Sequence, residues 1–267
     1  MKYHYMKINI YDNYHTMIFI LGRPSTHSVD SITLLRRLER YPVFDVRTLA
    51  SEAGLTQPSA RLRAVRLERK GLVHRVARDT YSIHRDPLVL ASRMAWPSYI
   101  SLWYALGHHG MTLQVPQTIE VLTTRQLFRK QVEVQGVRII FSKIASKYMF
   151  GYGKSLIDDI EVFIATPEKA LLDGLLLKRI PASELFEMMA NRGDALDVPR
   201  MVEYVRATGS GATAKRMGFM LDRLGHDVRA QLEDMVYPTI TVIDLTLPAE
   251  GRKDGRWHVI DNLSVEA

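Results

Sequence analysis

The chain contains no cysteine. Disulfides and thiolate metal sites are therefore excluded, and with them the usual sequence argument for secretion. Long apolar runs are missing too. The longest near the start, Met17-Ile18-Phe19-Ile20-Leu21, falls well short of the about 20 residues a membrane-spanning helix needs, and no cleavage-site pattern accompanies it. Internal repeats and low-complexity tracts are absent. These absences lead us to expect a cytoplasmic protein with no membrane role. The hydrophobic content of 46% and charged content of 24% are ordinary, and 267 residues can bury the core of one large domain or two smaller ones.

Charge is the first positive signal. The whole chain carries a net +7, and residues 31–85 alone hold 12 basic and five acidic residues, which accounts for all of it. A basic excess gathered in one small module is the electrostatic footprint of nucleic-acid binding. The alternative is a solvated basic surface.

The pattern of that module is specific. Ile32, Leu34, Leu35 and Leu38 predict a helix from Ser31 to Tyr41, ended by Pro42. Asp45 reads as the N-cap of a short helix through Ala53, and Gly54 as a sharp turn. Thr56 or Gln57 opens a third helix, with Pro58 tolerated in its first turn, that runs to Lys70 and stops at Gly71. Leu72–Val76 and Thr80–His84 then alternate like two strands around Ala77-Arg78-Asp79. Three helices followed by a basic hairpin is the order of a winged helix-turn-helix. On the third helix, Ala60, Ala64, Val65 and Leu67 are placed on an apolar arc, and Ser59, Arg63, Arg66, Arg69 and Lys70 on the opposite one. The basic arc suits a major groove, where arginine grips guanine edges or phosphates. The expected DNA-binding set is Gln57, Ser59, Arg61, Arg63, Arg66, Arg69 and Lys70, with His74, Arg75 and Arg78 from the hairpin.

Residues 1–30 are read as an N-terminal extension, possible as a hairpin, 31–86 as the winged helix-turn-helix, and 87–267 as a larger, helix-rich mixed domain, with Asp86-Pro87 as the boundary. In that last part a helix is expected over Ser98–Gly110. Strands are expected at 118–123, 131–142 and 160–164, and helices near 167–179, 182–190, 198–207, 212–224 and 226–236. Two closing strands near 239–246 and 256–262 flank the polar turn Gly251–Gly255. The fold class is α+β.

Five stretches stand in a characteristic order: GLVHRVARDTYSI from Gly71, PSYISLWYALGHHG from Pro97, IEVLTT from Ile119, ATPEKALLD from Ala165, and a closing strand built on Trp257 and Asn262. In that order they resemble the AbiEi antitoxin family, transcriptional regulators of type IV toxin–antitoxin modules in viral defence. The resemblance spans about residues 31 to 262. It implies a winged helix that binds inverted repeats in the promoter of its own operon, and a C-terminal domain that counteracts a nucleotidyltransferase-like toxin, with or without direct contact. Where the family often has Arg-Gly-x-Tyr in the hairpin, this chain has Arg78-Asp79-Thr80-Tyr81, which implies a looser tip.

Other constellations read as structural. Asp159 and Glu161, two apart on an expected strand, share a face and could hold Mg²⁺. No Gly-Ser loop precedes them, however, and no lysine stands two residues beyond Glu161. Thr208–Thr213 lacks the strand and Gly-Lys-Ser/Thr of a phosphate-binding loop. His108 and His109 are adjacent and make a poor metal pair. Trp96, Tyr99, Trp103 and Tyr104 could stack bases, but at helical spacing they read as core. Glu168, Lys169 and Asp173 should cap and pair along their helix. No catalytic residue, metal or cofactor is expected. The leading reading is a non-enzymatic autorepressor and antitoxin with duplex DNA and a toxin as partners, and a small-molecule ligand is not expected. The alternatives are a stand-alone winged-helix transcription factor whose C-terminal domain senses a ligand, and a metal-dependent nucleic-acid enzyme.

Overall fold

The computed structural model describes residues 29–263 apart from 115, 128, 158 and 193–195. The expected hairpin or extension before residue 29 lies outside the described residues. The chain is a mixed α+β protein whose buried apolar side chains form two clusters, one drawn from Leu34 to Tyr81 and the other from Val89 to Val259.

The first cluster lies beneath α1 (Ser31–Leu38), α2 (Val46–Ala53), α3 (Gln57–Arg69) and a three-stranded sheet. The sheet has the order β1-β3-β2, from β1 (Phe44–Asp45), β2 (His74–Ala77) and β3 (Thr80–Ser82). Local chemistry sets these boundaries. The Asp30 carboxylate accepts from the amides of Ile32 and Thr33 at 2.9 and 3.0 Å, and Asp45 from that of Thr48 at 2.8 Å, so α1 and α2 start on satisfied donors. Gly54 closes α2 in the left-handed region, at φ 64°. The hairpin tip is a two-residue turn, because Ala77 already pairs with Thr80. Asp79 takes the left-handed conformation itself, at φ 54°, so the tip is tight without glycine, contrary to the looser turn expected.

The second cluster is organised by a six-stranded mixed sheet of order β6-β7-β5-β4-β9-β8. Its strands are β4 (Ser98–Ser101), β5 (Thr118–Thr123), β6 (Gln131–Val134), β7 (Val137–Lys143), β8 (Tyr152–Ile157) and β9 (Ile160–Ala165). β4 runs antiparallel to β5 but parallel to β9, and β5 runs parallel to β7. The helices of this part are α4 (Pro87–Met94), α5 (Leu102–His108), α6 (Pro167–Leu176), α7 (Ala182–Asn191), α8 (Val198–Thr208) and α9 (Gly211–Arg223). A small sheet of order β10-β12-β11 closes the fold, from β10 (Thr241–Val242), β11 (Arg252–Asp254) and β12 (Val259–Asp261).

Several expectations need correction. Asp86-Pro87, read as the boundary, is also the start of α4: the Asp86 carboxylate accepts from Leu88 and Val89, and proline takes the first helical turn. The first four residues of the helix expected over Ser98–Gly110 form β4, and the chain turns into α5 at Leu102 with φ 57°. All four β4 residues are buried, and a fully buried strand shows no alternation to separate it from a helix. The strand expected over 131–142 is a hairpin turned at Gln135-Gly136, both at positive φ. Residues 230–235 form a 3₁₀ turn, not part of an α-helix. The polar turn near 251–255 contributes β11, and Trp257 stands in the β11–β12 turn rather than on a strand.

Two buried polar clusters in this larger part are paired. Lys169 and Asp173 form an i,i+4 ion pair inside the core, and Asp173 also accepts from the hydroxyls of Tyr99 at 3.0 Å and Ser101 at 2.8 Å. The Lys169 ammonium lies over the rings of Tyr99 and Phe150. Burial pulls the Lys169 pKa down and pushes the Asp173 and Tyr99 pKa values up. Asp244, buried, accepts from the amide and hydroxyl of Ser183 and thereby caps α7, which begins at Pro181 without a side-chain cap of its own. Among the described residues, no helix is long and apolar enough to cross a membrane.

Candidate nucleic-acid interface

α3 is held on three sides. Ala60, Ala64 and Leu67 are buried against the rest of the first cluster, while Val65, expected to join them, is half-buried. On one flank the Arg61 guanidinium reaches Asp79 at the hairpin tip, at 3.4 Å. On the other, Arg63 donates to the Ser31 hydroxyl at 2.9 Å and the Val29 carbonyl at 3.4 Å. Arg63 was expected to face away from the core into solvent. It is instead half-buried and ties α3 to the start of α1.

The fourth side is open. Gln57, Ser59, Arg66, Arg69 and Lys70 are exposed. Arg66, Arg69 and Lys70 have no side-chain partner among the described residues. With Ser31, Arg63 and Leu67 they line an open depression of about 330 Å³ between α3 and the start of α1. Arg66 and Arg69 also occupy the last turn of α3, where cations oppose the helix dipole. The geometry is a convex helix with unpaired cations along its exposed side, suited to an extended polyanion.

The hairpin residues differ from one another. Arg78 stands exposed at the tip. Arg75 donates to the Tyr81 hydroxyl at 3.2 Å and lies over its ring. The His74 ring does not project outward: both nitrogens are buried and without a hydrogen-bond partner. Burial, then Arg85 and His84, hold its pKa below the usual histidine value.

One residue of the open side is absent from the expected set. Leu62, 63% exposed, stands four residues before Arg66 and seven before Arg69, and so shares their side of the helix. The sequence did contain the signal, since Leu62 is an apolar residue that belongs to no apolar arc.

The remaining constellations fall elsewhere. Asp159 lies in the β8–β9 turn at φ 62°, before the strand begins, so it does not share a strand face with Glu161 as expected. Glu161 pairs with Lys154 at 2.8 Å. Among the described residues no three His, Asp or Glu side chains gather as a metal site would need. Thr208–Thr213 joins two helices: Gly209 ends α8 and the Ser210 hydroxyl caps α9. Tyr99 is buried, while Trp96, Trp103 and Tyr104 pack on the second core. His109 bonds the Ala165 carbonyl at 2.7 Å. Neutrality outside residues 31–85 holds only as a sum, because residues 124–157 carry seven basic residues and one acidic. No protein-family model matches this chain, and no curated protein matches it.

Proposed function

We propose that this chain is a transcriptional autorepressor whose residues 29–86 form a winged helix-turn-helix that binds duplex DNA. The remainder is then the antitoxin part of a type IV module, as the resemblance to the AbiEi family implies. The observation that supports the reading best is the open side of α3. Among the described residues its cations Arg66, Arg69 and Lys70 have no partner, while Arg61 bonds Asp79 and Arg63 bonds Ser31. In this reading α3 enters a major groove, Arg66, Arg69 and Lys70 meet phosphates or guanine edges, and Arg78 reaches the adjacent backbone.

The deciding experiment is titration of a labelled duplex from the region upstream of the gene. Wild type should bind inverted repeats within it. Arg66→Ala with Arg69→Ala should weaken binding by at least tenfold, since a base-edge contact is worth about 1–3 kcal/mol. Absence of binding at low salt, or full binding by the double variant, overturns the reading.

A second reading draws on a cleft of about 440 Å³ between α7 and the chain following α5, lined by Thr112, Gln114, Glu184, Glu187, Asn191 and Arg192 among others. It is a regulator whose larger part senses a small polar ligand. Protection of cells from a co-expressed neighbouring nucleotidyltransferase favours the first reading. A ligand that shifts operator affinity without any such toxin favours the second.

A further inference from the structure

We propose that Leu62 reads thymine in the bound DNA, by packing against its 5-methyl group. The inference rests on the DNA-binding reading above and adds a base identity to it. Leu62 lies near the middle of the open side of α3, with Ser59 three residues before it and Arg66 four after. It exposes 63% of its surface in a row of polar and cationic side chains. Among the described residues, the apolar residues of α3 that are buried are Ala60, Ala64 and Leu67, on the opposite side of the helix. A large apolar side chain on the side of the helix that carries the cations gains free energy where a partner covers it.

The flanking charges select that partner. Arg66, Arg69 and Lys70, one to two turns further along the same side of α3, would hold phosphates, and the more N-terminal turn that carries Leu62 then lies over base edges. Leucine can neither donate nor accept a hydrogen bond, so it cannot tell guanine from adenine or cytosine by their edges. The one apolar group in the pattern that base pairs present to the major groove is the thymine methyl. Arg63, bonded to Ser31 at the start of α1, and the buried Ala60, Ala64 and Leu67 hold the orientation of α3, so Leu62 faces a fixed position in the groove.

The test uses the full chain and the upstream duplex. Each thymine of the protected footprint is replaced, one at a time, by deoxyuridine, which removes only the methyl group. At one or two positions wild type should lose roughly fourfold in affinity, the worth of one buried methyl. Leu62→Ala should bind the thymine and deoxyuridine duplexes equally. Leu62→Met, which keeps apolar reach, should retain the methyl response. Indifference of wild type to every replacement, or an undiminished response in Leu62→Ala, overturns the inference while leaving DNA binding intact. Dissociation of a dimer by Leu62→Ala, with no methyl response in wild type, would assign the residue to contact with a second copy and overturn it likewise. If wild type binds no duplex, the DNA-binding reading fails and this inference with it.

Discussion

Asp79 shows how one residue ties local conformation to surface charge. At φ 54° it occupies a region that glycine enters without steric cost, and its carboxylate meets Arg61. Asp79→Gly should leave stability within about 1 kcal/mol, because relief of the backbone offsets an exposed ion pair of small worth. It should strengthen binding to DNA of any sequence, since a negative charge is removed and a guanidinium released. Thermal melting and anisotropy at one salt concentration check both halves. His74 carries a pH dependence. Its pKa is held below 6.5 in the folded chain, by burial first and then by Arg85 and His84. The neutral ring therefore supports the fold fully above pH 6.5, and that support is lost as pH falls through the depressed value. Denaturant melts should show residues 29–86 weaker at pH 5 than at pH 7.5, and His74→Phe should flatten the difference.

At the scale of elements, the ion pair within α6 is the sharpest case. Asp173→Ala would leave the Lys169 ammonium in the core with only ring faces beside it, at a cost of about 3–5 kcal/mol. Lys169→Met with Asp173→Asn removes the charge and keeps an acceptor for Tyr99 and Ser101, so it should recover most of the loss in a urea melt. Full destabilisation in the double variant would mean that the pair is not what those residues contribute. A parallel case is Gly218 on α9, where an added Cβ would run into the Trp257 indole, so Gly218→Ala should displace the closing sheet.

Legibility divides along the same lines. Helices with one wet face were readable from sequence, because burial follows the helical period and Asp45, Gly54 and Gly71 mark their ends. β4 was not, since burial on both faces erases its period. The cap of α7 was not either, because Asp244 arrives from 61 residues away. On α3 the side of the cations could be read, but not that Arg63 is engaged by α1 or that both His74 nitrogens are covered, which depend on tertiary contacts.

For the whole molecule, the exposed cations of α3 and the hairpin tip predict strong salt dependence. With about four phosphate contacts per bound copy, affinity for the upstream duplex should fall roughly a hundredfold between 50 and 200 mM salt, and less steeply for Arg66→Ala with Arg69→Ala. The same variant should still protect cells from the cognate toxin at matched expression, because its substitutions are exposed and leave the second core untouched. Joint loss of repression and protection in a folded variant would argue that DNA binding itself is the basis of protection.

The placement of β4 between β5 and β9 has a consequence in time. Ile100 pairs with Ile164, so the central sheet cannot close until β9 has been synthesised, whereas the apolar residues that make up the first cluster all lie within residues 29–83. Short-range contacts form fast and long-range strand pairing slowly, and nascent domains fold from the N-terminus onward. On the ribosome the first cluster should fold alone, soon after residue 86 clears the exit tunnel, and the sheet only after β9 has done so. Force-sensitive arrest sequences placed along the chain should therefore report two separate folding events. Between them the nascent chain already presents a finished α3 surface, ahead of the domain that follows it.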